Sequence, residues 1–202
     1  MQIEVSKTPV VEVYQMLVGL VTPRPIAWVT TISPSGVINL APFSFFNVFG
    51  ANPPVVVFSP TLKRDCGKKD TLINIEKSGE FVINASTEEN AEAINQSSSP
   101  LVYDESEIEM LGLKTTDSAL VRPPRLAGIP FALECKLMQI VPVGNGAISA
   151  NLVIGEIVMI HVSDLVLGSD GQPDPAKLRT IARLGGDYWS RTSDIFKLQR
   201  PK

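Results

Sequence analysis

Three groups of residues have types and spacings that could hold a ligand. The first is Pro25-Ile-Ala-Trp-Val-Thr-Thr31, followed by Asn39-Leu-Ala-Pro-Phe-Ser44. These read as two hairpin strands whose ends combine small polar groups with bare backbone. A flat heteroaromatic ring needs such a surface: main-chain N–H and C=O groups for its polar edge, apolar walls for its faces. A buried hairpin with satisfied threonines is the plain alternative. The second group is Ser59 with Lys69-Asp70-Thr71 at a helix start. The first turn of a helix carries unpaired N–H groups and the positive end of the dipole, so it favours an anion such as a terminal phosphate. Lys69 adds charge, Ser59 and Thr71 add hydroxyls, and Asp70 is expected to cap its own helix. A simple N-cap beside a solvated lysine explains the same residues. The third is Ile181-Ala-Arg-Leu-Gly-Gly-Asp-Tyr188. Glycines let backbone approach a ligand closely; Arg183 can pair with an oxygen and Tyr188 can stack. A turn with a surface arginine is the alternative.

His161 is the sole histidine. It is a candidate proton donor or nicotinamide contact, although a single histidine at a strand end is more often structural. With one histidine, a two-histidine zinc site cannot be built. No GxSxG elbow, Walker lysine motif or GxGxxG occurs. If the chain is an enzyme, a cofactor must carry the hard chemistry.

The elements that position these groups follow from pattern. A short helix is expected around Pro9 to Met16, and Thr22-Pro-Arg-Pro25 ends it. Ile26 to Ile32 reads as a strand, Ser33 to Gly36 as a turn and Val37 to Leu40 as the returning strand. Ala41 to Asn52 reads as a loop carrying Phe43, Phe45, Phe46 and Phe49; so apolar a loop must be core or meet a second subunit. Val55 to Phe58 is a buried strand. Asp70 starts a helix that Gly79 stops, and Phe81 to Asn84 is a strand. Helices are expected at Thr87 to Gln96 and Glu105 to Leu111. Two long strands, Phe131 to Val141 and Asn151 to Val162, flank a Gly-Asn-Gly turn. Asp174-Pro175 starts a last helix with proline at its first position. The pattern predicts a mainly β fold, an antiparallel barrel with short flanking helices, over a single domain of residues 1–202.

Composition narrows the class. The 202 residues are 44% hydrophobic and 19% charged, enough apolar material for a full core. The net charge of -3 and the absence of a basic run argue against nucleic acid. Of two cysteines, Cys66 sits in a polar stretch and Cys135 in an apolar one; both read as reduced thiols. The N-terminal segment lacks signal-peptide features and no apolar run reaches a membrane-spanning length. The expectation is a cytoplasmic protein without membrane contact.

Taken in order, RPIAWVTTISPSGVINLAPFSFFN, NPPVVVFS, KDTLINIEKSGEFVIN, GEIVMIHV and ARLGGDYW resemble the flavin reductase-like family of FMN-binding split β-barrels. The likeness runs from about Gly19 to Tyr188. It implies an antiparallel Greek-key barrel, and a homodimer with the flavin near the subunit interface. It also implies FMN, with FAD as a possibility, and NAD(P)H as co-substrate. By this resemblance Val29, Thr30 and Thr31 contact the ring and ribityl chain, and Ala41, Pro42 and Ser44 line the ring with Asn39 nearby. Ser59, Lys69, Asp70 and Thr71 form the phosphate end, while Arg183 and Tyr188 close the site, from either subunit. Hydride would pass from the nicotinamide to the flavin, and then to an acceptor such as a monooxygenase or a redox protein. An FMN-binding electron carrier of the flavoredoxin kind, without nicotinamide activity, is the alternative. A split-barrel oxidase acting on a pyridoxine-type substrate is a third.

Overall fold

The computed structural model describes residues 1–201. In chain order the elements are α1 (Val10–Leu20), β1 (Arg24–Pro25), β2 (Ala27–Ile32), β3 (Ile38–Phe43), β4 (Phe46–Ala51), β5 (Pro54–Phe58), α2 (Asp70–Ser78), β6 (Glu80–Asn84), α3 (Ala91–Gln96), α4 (Glu107–Leu111), β7 (Thr115–Thr116), β8 (Arg125–Leu126), β9 (Phe131–Val143), β10 (Ala150–Val162), α5 (Pro175–Leu178), β11 (Ile181–Gly185) and β12 (Tyr188–Arg191). The architecture is mainly β, as expected.

A seven-stranded antiparallel sheet runs in the order β3-β2-β6-β9-β10-β5-β4. Its two edges, β3 and β4, are joined through Ser44 and Phe45 alone. So short a link spans only about 10 Å even fully stretched, so the sheet must curl until its edges meet at that corner. No ladder joins β3 to β4. The result is a barrel that stays split along this seam. A separate sheet, β1-β11-β12, lies outside it.

β2 explains why IAWVTTI carries no charge and no exposed polar face. Ala27 and Val29 enter the main core with Phe43, Val56, Phe58, Leu72, Ile75 and Phe81. Ile26 and Trp28 enter a second core with Leu40, Ile94, Ile108 and Leu126. Successive side chains point to opposite faces, and here both faces are covered. Leu72 and Ile75, one helical turn apart, bring α2 into the first core. Ile94 of α3 and Ile108 of α4 cover the second.

Several expectations need correction. The Phe-rich stretch is not a loop: β3 runs on through Phe43, and Phe46–Ala51 forms β4, paired with β5. A register shift between Val48 and Gly50 bends it, breaking the alternation that would have marked a strand. Phe43 is buried, whereas Phe49 is 68% exposed. α1 continues to Leu20, and buried Arg24 holds its end by donating to the Val18 and Val21 carbonyls. Asp70 does not cap α2: Lys69 occupies the N-cap and no side chain caps the helix. Gly79 ends α2 in the left-handed conformation, φ 68°, as expected. Thr87 to Gln96 splits into a 3₁₀ turn, Glu88–Asn90, and then α3. The Gly-Gly-Asp stretch read as a turn does turn, but between two strands, β11 and β12.

Candidate functional site

Edge strand β3, the start of α2 and the segment after α3 enclose a cavity of about 270 Å³. Asn39, Ala41, Pro42 and Phe43 form its floor, Lys63, Lys69, Asp70 and Thr71 one end, and Ser97 to Leu101 with Glu107 the opposite wall. A second cavity, about 240 Å³, adjoins it at Pro42 and Ser98 and is lined further by Tyr14, Ile26, Ser44, Asn95, Arg183 and Trp189. Ligand pockets usually begin near ~300 Å³, so the two make one ligand site only as a continuous groove.

The phosphate-like end is built from α2. The N–H groups of Asp70 and Thr71 have no acceptor among the described residues, as the first turn of a helix requires. Lys69 has no carboxylate within 4.0 Å among them either. Its ammonium lies 5.3 Å from the centre of the Phe43 ring. Burial, and then the nearby charge of Lys63, push its pKa below that of an ordinary lysine. A cation held at such a cost wants an anion. Asp70 does not supply it: its Oδ1 lies 3.4 Å from Lys63 Nζ.

The floor is held from behind by amides. Asn39 Nδ2 donates to Thr71 Oγ1 at 3.0 Å and to Thr31 Oγ1 at 3.4 Å; Asn74 Nδ2 donates to the same Thr31 oxygen at 3.1 Å. This network locks β2, β3 and α2 together. Glu107 reaches across from α4 and accepts from the Leu40 N–H at 2.8 Å, satisfying an edge-strand donor. Burial raises the Glu107 pKa, and the backbone N–H bonds from Leu40 and its own residue pull it partly back. The Ser97 wall is pinned by Trp28, whose Nε1 donates to Ser97 Oγ at 2.9 Å.

At the other end the Arg183 guanidinium lies 4.6 Å over the Trp189 ring. Pairing of Arg24 with Arg183 across β1 and β11 brings this hairpin to the groove. Arg24 Nε donates to Ser44 Oγ at 3.4 Å, fixing the corner where the barrel splits.

The structure brings Asn39, Ala41, Pro42, Lys69, Asp70 and Thr71 to the first cavity and Ser44 and Arg183 to the second. It does not bring the others there. Val29, Thr30 and Thr31 are fully buried one strand behind β3. Thr30 Oγ1 donates to the Pro124 carbonyl at 2.7 Å. Ser59 is buried, and its Oγ accepts from Asn151 N at 3.2 Å. Tyr188 is 76% exposed and lines neither cavity, while its neighbour Trp189 lines the second. His161 lines a different cavity, its Nε2 2.6 Å from Glu134 Oε1. Sequence reading missed Glu107, Tyr14 and the Ser97 to Leu101 wall. The Ser97-Ser-Ser-Pro100 run between the two helices is the loop signal that could have found this wall.

The flavin reductase like domain matches residues 19–172. The chain belongs to the flavin reductase-like family. An uncharacterised protein of Halalkalibacterium halodurans is 44% identical over 192 residues, 94% of this chain and 91% of that relative. Nitrilotriacetate monooxygenase component B from Bacillus cereus superposes with a TM-score of 0.92 at 32% identity, covering 98% of each chain. The 2-nitrobenzoate 2-nitroreductase NbaA of Pseudomonas fluorescens superposes with a TM-score of 0.87 at 32% identity, over 100% of this chain and 96% of that one. The chain is thus a flavin reductase-like flavoprotein with an oxidoreductase fold. The groove lies within the family's matched span except for Tyr14, Arg183 and Trp189. Among the described residues no helix is long and apolar enough to cross a membrane.

Proposed function

We propose that this chain binds FMN in the groove and catalyses hydride transfer from NAD(P)H to it, as a homodimer. The observation that carries this reading is the half-buried Lys69 without a carboxylate partner, set at the free N–H groups of α2 and opening onto an apolar floor. The residues fit the group: a phosphate answers Lys69 and the helix start, and Ala41, Pro42 and Ser44 offer a flat wall to a ring. Bound flavin supplies the two-electron chemistry. The chain's own work is to fix the phosphate with Lys69 and Thr71, to hold the floor flat through Asn39, and to shield the site with the Ser97 to Leu101 wall. Arg183 offers a cation at the outer end, suited to an anionic nicotinamide nucleotide.

The second subunit is proposed from exposed apolar surface beside the groove. Val10, Tyr14, Leu17 and Leu20 of α1 and Tyr188 of β12 are each at least 40% exposed. A copy laid against them would deepen a groove too shallow alone. The likeness to a monooxygenase component supports an oxygenase or redox protein as acceptor of the electrons, and one domain of residues 1–202 as the working unit.

Anaerobic stopped-flow tests the reading. Protein with bound FMN, mixed with NADH or NADPH, should bleach the oxidised flavin band and regain it on admitting oxygen. Tight FMN binding without bleaching by either nucleotide would leave the carrier alternative standing and sink the enzyme.

A further inference from the structure

Glu107 stands in the groove as a carboxylate with acceptor capacity left over. It opens α4, is 5% exposed, and lines the first cavity. A carboxylate offers about four acceptor positions. The Leu40 N–H takes one on Oε2 at 2.8 Å, and the N–H of Glu107 itself is the one other near donor. Among the described residues the group makes no ion pair and accepts from no side chain. The hydroxyls beside it on the same wall are spent: Ser97 Oγ donates to the Ile94 carbonyl at 2.9 Å and Ser98 Oγ to the Asn95 carbonyl at 2.6 Å. Oε1, which accepts no well-formed hydrogen bond, is not sealed off. Asp70, the other carboxylate lining this cavity, has Lys63 Nζ 3.4 Å from its Oδ1.

Burial raises the Glu107 pKa. A buried carboxylate short of donors gains from any donor that a ligand brings. Its place along β3 says which part of a ligand that is. Leu40, its anchor, follows Asn39, which bonds Thr71 at the phosphate-like end, and precedes Pro42, where the two cavities join. Asn39 to Pro42 is three residue steps, about 10 Å at ~3.3 Å per residue. In FMN the group between phosphate and ring is the ribityl chain, which carries hydroxyl donors and no charge. An anion is unwelcome beside Glu107 and a hydroxyl is not.

We infer that Glu107 is a specificity-determining residue of the groove: its carboxylate accepts hydrogen bonds from the hydroxyls of the flavin's polyol chain, so the protein selects flavins that carry one. This inference rests on the flavin reading of the groove.

Three flavins test it. FMN has ring, polyol and phosphate, riboflavin lacks the phosphate, and lumiflavin has the ring with only a methyl group. Their affinities are read by fluorescence titration of the full-length protein and of Glu107→Gln, whose amide oxygen can still accept from Leu40 N. Wild type should bind riboflavin roughly tenfold or more tighter than lumiflavin, the span of a hydrogen bond to a charged group. Glu107→Gln should lose most of that preference, with lumiflavin affinity unchanged within about twofold on the same scale. FMN should weaken by about the same factor as riboflavin. A wall residue without a role in recognition would weaken all three flavins alike, and that result overturns the inference, as does an undiminished preference in the folded variant. If the variant fails to fold, equal affinity of wild type for riboflavin and lumiflavin overturns it, and a tenfold preference upholds it. Wild type that bound none of the three would overturn the flavin reading itself, a failure distinct from flavin binding that ignores the polyol.

Discussion

Replacing Lys69 with glutamine should separate the phosphate end of the groove from the ring end. Glutamine keeps most of the stem that lies over Phe43 and removes only the charge. A cation and a phosphate about 4 Å apart attract by about 4 kcal/mol at an effective dielectric constant near 20. Lys69 is half-buried rather than enclosed, and solvent screening lowers that figure. The range measured for hydrogen bonds to charged groups, about 1.5–3 kcal/mol, is the better guide. It corresponds to a loss of roughly 10- to 100-fold in FMN affinity. Riboflavin has the same ring and no phosphate, so its affinity should change by less than about twofold on the same scale. Quenching of flavin fluorescence reads both constants. An equal loss for FMN and riboflavin would mean that Lys69 shapes the fold and not the phosphate end. No loss for FMN would refute the phosphate assignment itself.

The same pair of ligands gives a pH signature. A phosphate monoester gains its second charge as pH rises through about 6, so the preference for FMN over riboflavin should first grow. Lys69 is charged below its pKa, which burial and then Lys63 lower. The preference should therefore fall again in the alkaline range, earlier than an ordinary lysine near about 10.4 would dictate. A bell that stays flat on its alkaline side contradicts the role given to Lys69.

Three further outcomes concern the scaffold. Glu134→Gln places an amide donor against a set of N–H donors and should cost about 2–4 kcal/mol in chemical denaturation. Burial pushes the Glu134 pKa up, but the Ala119 and Leu120 N–H groups and His161 outweigh it and leave it lowered. The wild type should thus hold this contribution above the unfolded carboxyl value near about 4.3 and lose it as pH falls through the lower folded value, while the variant lacks that acid limb. Ser97→Ala strands the buried Trp28 N–H and should cost about 1–3 kcal/mol, measured by thermal melting, and weaken FMN binding through the loosened wall. Gly155→Ala would drive a methyl to within 2.8 Å of Phe81 Cε1 in the main core and should destabilise by about 1–3 kcal/mol or more; a neutral effect would mean that Phe81 can step aside.

The readable parts of this sequence are those whose signal is local. β2 and β3 announce themselves because Ser33-Pro-Ser-Gly36 forces a turn between β-branched runs, and α2 ends where Gly79 can take a positive φ. β4 was hidden because its evidence is remote. Pro42, Ser44 and Gly50 look like loop chemistry, and only pairing with Val55 to Phe58 makes Phe46–Ala51 a strand. The same holds for β11 and β12, whose place beside the groove depends on Arg24 pairing with Arg183 across almost the whole chain.

His161 reads differently along the chain and across the sheet for the same reason. Read along the chain it is a lone imidazole at the end of an apolar run, and a free proton donor is a fair reading. Read across the sheet it faces Ala132, and Glu134 sits two residues further along the same face of β9. Diagonal neighbours at that spacing are within reach of long side chains. A buried carboxylate cannot stay without partners, so Glu134 claims the imidazole and two backbone amides, and its demand outranks the freedom the histidine would otherwise have. The groove obeys the opposite logic. Lys69 is the charge left unclaimed after Lys63 pairs with Asp70 and Glu107 turns to Leu40 N. In this barrel the group open to a ligand is the one whose neighbours are already spent on each other, and that is a property of contacts between distant segments rather than of any motif.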